Sequence, residues 1–122
     1  MFTHVMVGAN DPEKSVAFYN ATLGALGIPA GQRTPSGAFY SHNGGAFGVG
    51  SSRDGKAATF ANGGTIGFRA ELKDQVDAFY AAGLANGGTC EGEPGQRGAN
   101  ENYGAYLRDP DGNKICAFWS AG

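Results

Sequence analysis

Apolar and polar residues alternate over residues 2–8, with Val5 and Val7 on one side and His4 and Met6 on the other. A period of two predicts a half-buried strand. Asp11 follows as a helix N-cap, with Pro12 at the first helical position and Glu13 in the first turn. Val16, Tyr19, Leu23 and Leu26 then recur at helical spacing until Gly27 stops the helix. Residues 39–41 and 46–49 read as two strands around the turn His42-Asn43-Gly44-Gly45. A polar loop over 51–56 and a connection over 59–64 close this half.

The pattern then begins again. Residues 65–70 predict a strand, and about 74–86 a helix with Val76, Phe79, Tyr80 and Leu84 on one face and a less clearly capped start. A short strand is expected over 89–91 and a Gly/Pro-containing loop over 93–101. Residues 102–108 and 114–120 read as strands joined by Asp109-Pro110-Asp111-Gly112-Asn113. In that turn Pro presets φ and Gly accepts φ > 0. A shift of 61 residues superimposes the halves. Ala17-Phe18-Tyr19 falls on Ala78-Phe79-Tyr80, and Ala9, Ala21, Leu23 and Gly27 fall on Ala70, Ala82, Leu84 and Gly88. Strand, helix and about three strands, given twice, predict an α+β fold. Each helix covers one face of its sheet, and the other faces are left to form a cup. Residues 1–122 are expected to make one domain, with halves at about 1–61 and 62–122.

Composition narrows the function. Nine Lys plus Arg against eleven Asp plus Glu give a net charge of −2, with no basic run for a nucleic-acid partner. No apolar stretch approaches the roughly 20 residues that span a bilayer, and no charged-then-apolar leader opens the chain, so a soluble, cytoplasmic protein is expected. Cys90 and Cys116 are too few for a disulfide scaffold, and their spacing fits no zinc motif. Glycine is 22 of 122 residues, far above a usual share of about 7%, and clusters between apolar runs as turns require.

Strand alternation places His4 and Met6; Thr65, Gly67 and Arg69; and Lys114, Cys116 and Phe118 on the face away from the helices. His4 is a candidate metal ligand or general base, and equally a hydrogen-bonded structural histidine. Thr65 can orient a substrate or water through its hydroxyl. Cys116 offers a soft thiolate beside His4, or a buried inert thiol. Arg69 can hold a carboxylate or phosphate in its planar fork, or sit at the strand end and reach water. Arg97, Asn102 and Tyr103, in or beside the long loop, are expected near the cup's mouth. Phe39, Tyr40, Phe47, Tyr106 and Phe118 are candidates for an aromatic pocket, or simply core.

The chain resembles the vicinal oxygen chelate superfamily, also called the glyoxalase, bleomycin-resistance and extradiol dioxygenase family. The resemblance rests on His4-Val5-Met6-Val7, Asp11 with Ala17-Phe18-Tyr19, Leu23-Gly24 and the run from Arg108 through Asp109-Pro110-Asp111-Gly112-Asn113 to Lys114-Ile115. It implies two tandem βαβββ modules curled into a cup with helices outside, and a homodimer. In many members it also implies a divalent metal such as zinc, nickel, manganese or iron. Family metal positions lie on the first and last strand of each module. They match His4, Thr65, Cys116 and the strand at 46–50, which has no carboxylate. The resemblance thus implies a small-molecule-binding, glyoxalase/bleomycin-resistance-like protein with a degenerate or absent metal site. The alternatives are a divalent-metal-dependent lyase or dioxygenase using His4, or a purely structural partner domain.

Overall fold

The computed structural model describes residues 1–121. The chain runs β1 (His4–Gly8), α1 (Pro12–Gly24), β2 (Gln32–Thr34), β3 (Gly37–His42) and β4 (Gly45–Gly50). It repeats as β5 (Ile66–Arg69), α2 (Lys73–Ala85), β6 (Thr89–Arg97), β7 (Asn102–Arg108) and β8 (Lys114–Ser120). The first sheet has the order β1-β4-β3-β2 and the second β5-β8-β7-β6. In each, the first strand lies parallel to the last and the remaining pairs are antiparallel. These are two tandem βαβββ modules whose sheets curl without closing.

Local chemistry explains the elements. Asp11 is the N-cap of α1, and its side chain accepts the Lys14 backbone N–H at 3.3 Å. After α1 the chain turns at Gly27, which takes φ +83, and the Ile28 N–H returns to the Leu23 carbonyl at 3.0 Å. Helix α2 starts without a capping side chain at its N-cap; instead Gln75 reaches back and accepts the N–H groups of Glu71 and Leu72. Asn43 and Gly44, both at positive φ, make the tight turn between β3 and β4.

Two strands differ from the sequence reading. The short β2 has only three residues, too few to carry an alternating pattern. Strand β6 continues to Arg97, through a region expected to be a loop. It is an edge strand whose register shifts between Cys90 and Gly92 and again between Gly92 and Gly95, around Pro94. An edge strand with bulges tolerates a proline because the missing N–H breaks no ladder bond there.

The core lies between the sheets and the helices. Val5 pairs with Phe47 and Val7 with Val49 across β1 and β4, and all four turn toward α1. Ile66 pairs with Ile115 and Phe68 with Ala117 under α2. Phe18, Tyr19 and Phe79 are fully buried in the same core, as the repeated Ala-Phe-Tyr triplets require of their helices' inner faces. The modules touch where Phe47 meets Phe68 edge-on, with ring centroids 5.2 Å apart. The opposite face of each sheet is free of helices. Among the described residues, no helix is long and apolar enough to cross a membrane.

Candidate functional site on the open sheet faces

On both open faces a glycine on a central strand makes room for a neighbouring ring. A Cβ at Gly48 would stand 3.0 Å from the Phe39 ring and 3.1 Å from Met6, so both side chains lie across that position. A Cβ at Gly104 would stand 2.9 Å from the Phe118 ring, which covers β7 in the same manner. There the likeness ends. The first open face carries Met6, Phe39, Ser41 and His4, and no charge that is fixed at neutral pH. The second carries Lys114, Cys116 and Phe118 on β8, with Asn102 and Tyr106 on β7 in the same row.

Tyr106 is the centre of the second face. The Arg97 guanidinium carbon lies 5.5 Å from its ring centroid, and the Lys114 ammonium 5.4 Å from it. Both distances are within cation–π range. Arg97 folds back along β6 and donates to the backbone carbonyls of Glu93 at 2.6 Å and Gln96 at 3.4 Å. Gly92 and Gly95 leave room for it: a Cβ at either would stand 3.2 Å from a guanidinium nitrogen. Among the described residues, ion pairs form only between Arg33 and Glu13 and between Arg108 and Glu91. Arg97 and Lys114 therefore form no ion pair, while Arg108, opposite Lys114, is taken by Glu91. A cleft of 290 Å³ adjoins this face at the seam between β1 and β5, with Met6, Thr65 and Lys114 in its wall.

The residues expected from sequence divide by position. Asn102 and Phe118 stand on the second open face, Arg97 beside it and Thr65 in the adjoining cleft. Tyr103 does not join them. It follows Asn102 directly in β7, so alternation turns it to the helix face, where its hydroxyl donates to Asp77 of α2 at 2.7 Å. Tyr40 and Phe47 also turn inward, to the core, and leave Phe39, Tyr106 and Phe118 outside. Arg69, at the end of β5, lines a different cleft described below. Alternation assigns Lys114 to this face, and Tyr106 is among the aromatic candidates; that the two meet is what sequence alone does not show. Their alternation with Cys116 and Gly104 is the signal that carries them.

His4 is exposed at the start of β1 and shares a 2.9 Å hydrogen bond between Nδ1 and the Thr3 hydroxyl. Its lateral neighbour on β4 is Ala46. Cys116 is 5% exposed and pairs across β5 with Gly67. Burial pushes its thiol up, against the lowering influence of Tyr106, Lys114 and Arg97. A thiolate ligand needs the opposite shift. Among the described residues no three His, Cys, Asp or Glu side chains converge. One imidazole, one hydroxyl and one buried neutral thiol do not fit a centre that needs three or four protein donors.

Paired βαβββ modules with open sheet faces define the fold class of this protein. The family model for the Glyoxalase/Bleomycin resistance protein/Dioxygenase superfamily matches residues 1–117, and the chain belongs to that superfamily. It is similar to a glyoxalase/bleomycin resistance protein from Albidiferax ferrireducens, at 54% identity over 97% of both chains, with a TM-score of 0.92. A glyoxalase-related enzyme from Fulvimarina pelagi shares the fold at 19% identity and a TM-score of 0.78, over 98% of this chain and 88% of that one. So does a lactoylglutathione lyase from Agrobacterium tumefaciens, at 20% identity and a TM-score of 0.67, over 98% of this chain and 92% of that one. No curated protein matches.

Proposed function

We propose that this protein binds a small aromatic anion on the open face of its second module, through its own side chains. The observation that carries the reading is Tyr106 flanked by Arg97 and Lys114, two cations without carboxylate partners. Phe118 offers a ring face beside Tyr106, so a planar ligand gains stacking area. Arg97 keeps N–H donors beyond those bound to Glu93 and Gln96 for a carboxylate, and Lys114 adds a point charge at the cleft. Thr65 supplies a neutral hydroxyl in the cleft beside Lys114. In this reading the protein holds or sequesters its ligand. Arg97 and Lys114 bind the anion, Phe118 and Tyr106 orient its plane, and Gly104 makes room for the Phe118 ring.

Benzoate is the probe that tests this. Titrated into the protein in EDTA, it is expected to shift the amides of Tyr106, Lys114 and Phe118 saturably. Arg97→Ala is expected to weaken binding roughly tenfold, the loss of one charged hydrogen-bonding partner. Saturable shifts that map away from this face, or none, overturn the reading. A metal-dependent lyase or dioxygenase would instead hold near-stoichiometric metal by elemental analysis, lost in His4→Ala or Cys116→Ala.

A further inference from the structure

We propose a second binding site, on the helix side of the molecule, for a free α-amino acid with a large apolar side chain. The site is a cleft of 310 Å³ between the modules. That volume is at the low end of the roughly 300–1,000 Å³ of small-molecule pockets, so the ligand is small.

The walls set the ligand's body. Leu26 and Ile28, just beyond α1, face Ile66 and Phe68 of β5 across the cleft, with Phe47 of β4 between. Tyr40 also lines the cleft, with its hydroxyl already donated to Asn20, so the walls favour an aliphatic or aromatic group over water.

The rim sets the ligand's head. It carries Arg69 and Glu71, at the end of β5 and just beyond it, and His42 and Asn43 from the turn between β3 and β4. Neither Arg69 nor Glu71 forms an ion pair among the described residues, with each other or with any third group. One free cation and one free anion on a single rim complement a zwitterion: carboxylate to Arg69, ammonium to Glu71. A simple anion or a simple amine would satisfy one of them and meet repulsion from the other. β5 is also an edge strand, so the backbone groups on its outer side have no ladder partner and add donors and acceptors at the cleft.

The site lies at the edge of β5, away from Tyr106 and Lys114. Its apolar walls come from the core-facing rows of β1, β4 and β5, while Gly67 and Arg69 reach it from the outer row of that edge strand, Arg69 in register with Phe118. An occupant would touch both modules and tie them together.

L-phenylalanine is the probe, followed by NMR and calorimetric titration of the whole protein. It is expected to shift the amides of Leu26, Ile66 and Phe68 saturably, with a dissociation constant at or below about 1 mM. Phenylpropionate, which lacks the ammonium, and phenethylamine, which lacks the carboxylate, are each expected to bind roughly tenfold more weakly. Arg69→Gln and Glu71→Gln, both at exposed positions, are expected to cause similar losses while Arg53→Gln, in the exposed loop after β4, leaves binding unchanged. Equal binding of all three compounds overturns the proposal, because the rim would then select nothing. So does an absence of saturable shifts, or shifts that map to the open face.

Discussion

Two repeat-equivalent corners of this molecule meet the opposite module in opposite ways. At the first, the turn between β7 and β8 closes onto the start of α1. Asp109 accepts the Tyr19 hydroxyl at 2.6 Å and the Asn113 side-chain amide at 2.8 Å, and its other oxygen accepts the backbone N–H groups of Asp111 and Asn113. Asp111 accepts the Asn10 backbone N–H at 2.9 Å and the Ser15 hydroxyl at 3.0 Å, and Asn113 reaches the Gly8 carbonyl. At the second corner the turn between β3 and β4 is only Asn43-Gly44, and among the described residues it makes no side-chain hydrogen bond to the other module. The 61-residue shift carries Gly8 and Asn10 onto Arg69 and Glu71. Where the first corner is bolted, the second is an open cleft with an unpaired charge of each sign on its rim. Duplication supplies two equal seams. A buried carboxylate bolts one of them, and its absence leaves the other an open cleft.

The contrast can be broken at the bolt. Asp109→Ala leaves the fully buried Tyr19 hydroxyl and the buried Asn113 amide without their acceptor. It is expected to cost about 3 kcal/mol or more, read from the urea midpoint. A loss near zero would mean that the turn is stable by itself and the modules are held elsewhere. Tyr19→Phe removes one hydrogen bond to a charged acceptor and is expected to cost about 1.5–3 kcal/mol. Tyr80 occupies the equivalent place in α2, where its hydroxyl has Cys90 as its neighbour. Tyr80→Phe is expected to leave the urea midpoint unchanged.

The same tyrosine sharpens the comparison through pH. Burial, with the Asp109 carboxylate beside it, holds the Tyr19 phenol well above its usual pKa. Burial also pushes Tyr40 up to about 12. A raised folded-state value means that the unfolded chain gives up these protons first as pH rises. Their contribution to stability is full below about pH 10, the unfolded value, and is lost as pH climbs toward the folded ones. Thermal midpoints measured from pH 8 to 11 are expected to fall at the alkaline end, less steeply in Tyr19→Phe. A parallel fall in both proteins would place the titration elsewhere.

The smallest effect concerns the two thiols of the second module. Cys90 is exposed on an edge strand, and Cys116 is buried with its thiol pushed up. Iodoacetamide at pH 8 is expected to label Cys90 well before Cys116, followed by mass spectrometry. Faster labelling of Cys116 would show that Arg97 and Lys114 favour its thiolate more than burial opposes it.

Much of the fold is legible along the chain because its causes are local. Asp11 with Pro12 writes the start of α1, Asn43-Gly44 writes a hairpin, and alternation sorts Val5 from Met6 and Ile115 from Cys116. The site is legible only in part. Asn102 and Tyr103 look alike as loop-border polar residues, but one added strand residue puts them on opposite faces. Asp109 and Asp111 look complete as turn residues, because a turn uses their backbone whether or not their oxygens find partners from the other module. Strand β6 is hidden because bulges around Pro94 break the alternation that announces a strand.

By itself the sequence determined the duplication, the order of elements, and which side chains share a face. Those depend on spacings of two and 3.6 residues within single elements. Only the tertiary structure decided which seam is bolted and which is a cleft, and that Arg97 and Lys114 meet over Tyr106. Such pairings join residues far apart in the chain, and no local period encodes them. They follow from how two curled sheets come to rest against each other and which buried polar groups must then be satisfied.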